Sequence, residues 1–140
     1  MKETVKDSNT TKPLILVAED DESNFKLINA IIGKQCDVVW ARNGQEAVSF
    51  FFSEETPSPV AILMDLKMPV MNGLDATRRI REVDGQIPII VQTAYAFSTD
   101  KTNALEAGAT EVLVKPITLS VLRKALNKYL PDLEWVYKTE

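Results

Sequence analysis

The sequence contains no histidine in 140 residues. That excludes a Ser-His-Asp triad, a histidine metal cage and a histidine general base. A lone cysteine, Cys36, excludes an internal disulfide framework and is compatible with a reducing compartment. No apolar run approaches the roughly 20 residues that a membrane span needs, and no basic-then-apolar leader of secretory type opens the chain. Sixteen Lys and Arg stand against 20 Asp and Glu, for a net charge of −4, and the basic residues form no stripe. Direct nucleic-acid binding and membrane contact by this chain are therefore not expected. What remains for chemistry is carboxylate, lysine, threonine and main chain. The balance of 45% hydrophobic and 26% charged residues is that of an ordinary globular domain, and the length suits one domain with a real core.

The chain is organised around Val60-Ala61-Ile62-Leu63-Met64-Asp65-Leu66-Lys67-Met68-Pro69. An apolar run this complete reads as a strand buried on both faces, with Asp65 at its carboxyl end and a turn directly after. Four similar strands flank it. Leu14 to Ala18 is followed by Glu19-Asp20-Asp21, and Asp37 to Ala41 by Asn43-Gly44. Ile87 to Val91, with Pro88 near its start, leads into Gln92-Thr93-Ala94, and Glu111 to Val114 into Lys115-Pro116. Helices fill the gaps. Residues 22–33 carry Phe25, Ile28, Ile31 and Ile32 at helical spacing, with Asp21 or Ser23 as cap and Gly33 at the far end. The next helix turns Ala47, Phe50 and Phe51 inward. A third turns in Leu74, Thr77 and Ile80, with Arg78, Arg79 and Arg81 mostly outward. Residues 98–107 form a weak helix whose only large apolar residue is Leu105, so motion is expected there. The last helix turns Leu119, Leu122, Leu126 and Tyr129 inward and stops at Pro131. Residues 1–12 read as a flexible leader or linker, 13–130 as the domain, and 131–140 as a tail with Trp135 and Tyr137.

Alternation of five strands with five helices predicts an α/β fold: a doubly wound parallel sheet with right-handed crossovers and helices on both faces. Chemistry then belongs at the carboxyl ends of the strands, beside the switch point between the first and third. Glu19, Asp20, Asp65, Thr93 and Lys115 all stand at such ends. Three clustered carboxylates repel by roughly 4 kcal/mol per pair at about 4 Å and an effective dielectric near 20, so a cation is required. All-oxygen ligands suit Mg²⁺. Lys115 and Thr93 can meet phosphoryl oxygens, and Asp65 can act as a carboxylate nucleophile toward phosphorus.

Taken together, ILVAEDDESN, ILMDLKMPVMNG, QTA and VLVKP resemble the receiver domains of two-component response regulators over about residues 13–130. The resemblance implies a flavodoxin-like (βα)5 sandwich with strand order 2-1-3-4-5. It implies that Asp65 accepts a phosphoryl group from a phosphohistidine on a sensor histidine kinase or histidine phosphotransfer domain. Asp20 and Asp65 would ligate Mg²⁺ with the Lys67 main-chain carbonyl, and Glu19 would act through a water. Thr93, Lys115 and the main-chain N–H groups of Leu66, Lys67 and Ala94 would hold the phosphoryl oxygens. The Lys115–Pro116 bond is commonly cis in the family. The surface of the fourth helix, fifth strand and fifth helix (Tyr95, Lys101, Glu106, Glu111, Arg123) would change on phosphorylation and meet a downstream protein.

One position departs from the family pattern. Many receivers carry an aromatic where this chain has Val112. So small a side chain does not support the usual Thr-aromatic coupling, and Tyr95 is a further candidate for reporting the switch. Two alternatives are weighed. Haloacid-dehalogenase-type phosphatases use Asp-x-Asp on their first strand, whereas here the nucleophile follows the third strand and position 67 is lysine. A pseudo-receiver would not keep the full acidic, threonine and lysine set. We expect a signalling phosphoacceptor that is not an enzyme acting on other substrates. It is expected to be cytoplasmic, as a module of a hybrid sensor kinase in preference to a stand-alone regulator.

Overall fold

The computed structural model describes residues 12–95 and 99–131. The leader and the tail therefore fall, apart from Lys12 and Pro131, outside the described residues. The strands are β1 (Leu14–Ala18), β2 (Asp37–Ala41), β3 (Ala61–Asp65), β4 (Ile89–Thr93) and β5 (Glu111–Val114). The helices are α1 (Glu22–Ile32), α2 (Gly44–Phe52), α3 (Gly73–Arg81), α4 (Asp100–Ala107) and α5 (Leu119–Tyr129). All strand pairs are parallel, in the order β2-β1-β3-β4-β5. This is the expected flavodoxin-like arrangement.

Alternation along the strands sends successive side chains to opposite faces and makes two cores. Ile15, Val17, Leu63 and Ile90 pack with Ile28 and Ile32 of α1 and Leu122 and Leu126 of α5. Leu16, Ile62, Met64 and Val91 pack with Val48 of α2, Ile80 of α3 and Ala104 of α4. The central strands β3 and β4 are buried at every residue, as their unbroken apolar runs demand.

The helix starts follow side-chain caps. Asp21 accepts from the Ser23 and Asn24 N–H groups, and Asn43, Asn72 and Thr118 cap α2, α3 and α5. α4 differs: Thr99 makes no side-chain cap bond, and only Ala104 and Ala107 are buried. Two alanine methyls contribute on the order of 2 kcal/mol, whereas the three buried isoleucines of α1 contribute on the order of 6. α4 is thus the most weakly held of the helices.

Several local expectations are corrected. Leu119 is exposed, and Leu122 takes the inward position. In α2, Val48 is buried while Phe50 and Phe51 are only half-buried. Val60 and Pro88 precede their strands. Arg81 does not point outward: its Nε donates to the Gly108 carbonyl at 2.8 Å, and its Nη atoms to the Asp84 carbonyl and the Thr110 hydroxyl. Gly108 adopts φ 113 as it ends α4, so this clamp fixes the carboxyl end of that helix.

Candidate functional site

Strand register assembles the site. Ala18 pairs with Met64, so Glu19 lies beside Asp65. Asp65 pairs with Gln92 and Thr93 with Val114, which brings Thr93 and Lys115 to the same edge. One carboxylate oxygen each from Glu19, Asp20 and Asp65 lies within 4.8 Å of the others. Glu19 is fully buried and Asp65 nearly so, while Asp20 faces solvent. Lys115 Nζ reaches Asp65 Oδ1 at 3.2 Å and Glu19 Oε1 at 3.7 Å. The Lys115–Pro116 bond is cis.

Burial, with the neighbouring Asp65 charge behind it, pushes the Glu19 carboxyl up to about 7. Burial also raises Asp65, against the opposing pull of Lys115. One lysine does not neutralise three carboxylates, and the buried Glu19 Oε1 has no hydrogen-bond partner. Three oxygen donors, one of them orphaned, fit a hard divalent cation.

A pH dependence follows in the metal-free protein. Between the ordinary 4.5 and about 7, folded Glu19 holds a proton that the unfolded chain has released. Stability therefore falls as pH rises through that window. In chelator, thermal melting from about pH 5 to about pH 7.5 should show the parent losing stability relative to Glu19→Gln. Parallel curves would remove Glu19 as the source.

The loop after Asp65 is tightly pinned. Gly73 N–H donates to the Leu66 carbonyl at 2.9 Å and Gly44 N–H to the Met71 carbonyl at 2.8 Å. Met71 N–H reaches back to the Pro69 carbonyl at 2.7 Å across Val70, whose φ is 69. Such a γ-turn is strained for a β-branched residue, and the flanking bonds hold it in place. Among the described residues no hydrogen bond uses the Lys67 carbonyl. The expected role of the Leu66 N–H is corrected: it donates to the Gln92 carbonyl at 3.0 Å and is consumed by the β3–β4 ladder.

Thr93 is buried, yet its hydroxyl is directed to α4. It donates to Asp100 Oδ2 at 3.2 Å and accepts from the Tyr95 N–H at 3.1 Å. Ala94 and Tyr95 are exposed beyond it. Val112 is half-buried opposite Val91. On the neighbouring face Lys101 and Glu106 are exposed, whereas Glu111 is tied to α5 by the Tyr129 hydroxyl at 2.6 Å and Lys128 at 3.1 Å. Burial works to raise the Glu111 carboxyl, but Tyr129 and Lys128 outweigh it and hold it low.

Sequence reasoning misses two residues of the site, Asp100 and Trp40. The Trp40 indole donates to the Glu19 carbonyl at 2.7 Å and stacks on Phe25, with the Arg42 guanidinium 3.9 Å from its ring centroid. It thereby fixes the main chain that carries the acidic pair. Its place in β2, one residue from the strand end, is the available signal.

Known proteins match this arrangement. The response regulator receiver domain family matches residues 15–127. Hybrid signal transduction histidine kinase I of Dictyostelium discoideum is 39% identical over 129 residues. That match covers 84% of this chain but only 7% of the kinase, so the chain spans a small part of that relative. Among solved structures, the receiver domain of a Pseudomonas aeruginosa sensor histidine kinase, with a magnesium ion coordinated in its active site cleft, is 32% identical with a TM-score of 0.77. It covers 87% of this chain and 100% of its own. The receiver domain of the Saccharomyces cerevisiae response regulator Ssk1, solved with the histidine phosphotransfer protein Ypd1, is 30% identical with a TM-score of 0.76. That alignment covers 84% of this chain and 88% of the other. With strand order, acidic cluster and family match in agreement, the chain belongs to the response regulator receiver domains.

Proposed function

We propose that Asp65 is a phosphoacceptor that takes a phosphoryl group from a phosphohistidine. The observation that carries this is the convergence of the buried Asp65 carboxylate, two further acids and Lys115 on one sheet edge. An Asp65 oxygen forms a bond to phosphorus as the phosphorus–nitrogen bond of the donor breaks, and the imidazole leaves. Asp20, Asp65 and the Lys67 carbonyl would hold Mg²⁺, with Glu19 acting through a water. When bound, the ion supplies positive charge against the carboxylates and the transferring phosphoryl oxygens.

Lys115 already sits against Asp65 and is placed to move onto a phosphoryl oxygen. Thr93 would rotate its hydroxyl from Asp100 to a second oxygen, and the Lys67 and Ala94 N–H groups complete the cradle. Phosphorylation adds about −1.5 to −2 charges and three acceptor oxygens, which draw Thr93 inward and shift α4. The α4-β5-α5 face, with Tyr95 beside it, is the surface that changes for a downstream protein.

The donor is a sensor histidine kinase or a histidine phosphotransfer protein of the kind seen with the Ssk1 receiver. The similarity to the Dictyostelium kinase favours a place within a longer hybrid kinase, and the module would sit in the cytoplasm. Among the described residues no helix is long and apolar enough to cross a membrane. The test is intact mass after incubation with acetyl phosphate, with and without Mg²⁺. One phosphoryl group should add only with the metal. Continuous turnover of small phosphate esters would instead favour a phosphatase.

A further inference from the structure

We infer that Asp100 is a positioning residue for Thr93: its carboxylate holds the threonine hydroxyl at α4 and sets how readily that hydroxyl moves to a phosphoryl oxygen. The inference rests on the phosphoacceptor reading of Asp65 and adds to it the residue that opposes the switch. A threonine hydroxyl has one proton. Here that proton is given to Asp100 Oδ2 at 3.2 Å, while the Tyr95 N–H occupies the same oxygen as a donor at 3.1 Å. Thr93 is only 2% exposed, so water does not readily replace the carboxylate. A hydroxyl bonded to Asp100 is not available to a phosphoryl oxygen. The two acceptors compete.

The anchoring of α4 makes that competition a mechanical link. The carboxyl end of the helix is clamped, because Arg81 donates to the Gly108 carbonyl and to the Thr110 hydroxyl. The amino end lacks a capping bond from Thr99 and is joined to β4 through Asp100 and Thr93. Little apolar burial resists movement, since Ala104 and Ala107 are the buried residues of the helix. Transfer of the Thr93 proton bond to a phosphoryl oxygen therefore removes one tie between the amino end and β4, while the Gly108 end stays fixed. With Val112 in place of a large aromatic, this hydroxyl–carboxylate contact is a route by which the phosphoryl group reaches α4.

The test is a double-mutant cycle read by the affinity of the Mg²⁺-loaded protein for beryllofluoride, a phosphoryl stand-in, measured by calorimetry. Asp100→Ala should bind it about fivefold more tightly than the parent, the effect of one lost competing hydrogen bond. Asp100→Asn keeps an acceptor and should fall between the two. In a Thr93→Ala background, Asp100→Ala should leave the affinity unchanged, an outcome that a merely structural role for Asp100 does not produce. Unchanged affinity in Asp100→Ala, or the same shift with Thr93 absent, overturns the inference. Failure of the parent to bind beryllofluoride in Mg²⁺ overturns the phosphoacceptor reading itself.

Discussion

Asp65→Asn is expected to abolish phosphoryl labelling and leave the fold in place. The amide cannot attack phosphorus as a carboxylate does, and it withdraws one anionic ligand from the acidic cluster. The structural cost is small because burial and the neighbouring lysine act in opposite directions on the charge at this position. Burial disfavours the Asp65 charge, while Lys115 at 3.2 Å favours it. Stability should therefore change by no more than about 1 kcal/mol. Intact mass after acetyl phosphate and Mg²⁺ reads the first effect, and denaturant unfolding reads the second. Phosphoryl labelling of the Asp65→Asn protein would place the acceptor elsewhere and remove the central role given to this strand end.

Gly73→Ala is expected to have the opposite profile, a large loss of stability that takes the site with it. A methyl group at Gly73 would collide with the carbonyl oxygen of Asp65 and crowd the Leu66 backbone. Neither obstacle is a flexible side chain. β3 and the start of α3 would have to separate, breaking the Gly73 N–H bond to the Leu66 carbonyl. The expected cost is about 3 kcal/mol, a fall in melting temperature on the order of 10 °C. Labelling should fall as well, because the peptide displaced is that of the acceptor. Gly85→Ala is the matched control, since nothing lies within 4 Å of a methyl group there. Equal melting temperatures for the two variants would show that the junction behind Asp65 is looser than its geometry.

Elements with a strong apolar pattern are legible residue by residue. The isoleucines of α1 and the unbroken run of β3 leave no other assignment, and Asp21 caps its helix as its chemistry suggests. The misassignments fall on single side chains of otherwise well-read helices. In α4 the weak apolar pattern is realised by Ala104 and Ala107, because small side chains let the helix lie close to its neighbours, and Leu105 stays exposed. Leu119 opens α5 on the solvent side, and Leu122 and Leu126 carry the burial. Charge alone turns Arg81 outward, but three carbonyl and hydroxyl oxygens surround its guanidinium.

At the site, the acidic pair, Asp65, Thr93 and Lys115 can be named from sequence because each follows a recognisable strand, and parallel strands deliver their carboxyl ends to one edge. That logic determines which residues meet. It does not determine where each bond points. Only the tertiary structure decided that Leu66 spends its N–H on Gln92, that Thr93 turns to Asp100, and that Trp40 holds the Glu19 carbonyl. Those bonds join residues distant in sequence or across a turn, and each is chosen by competition among nearby partners. Strand periodicity carries no record of that competition, so the chain alone specified the cast of the site and the packed fold specified its hydrogen bonding.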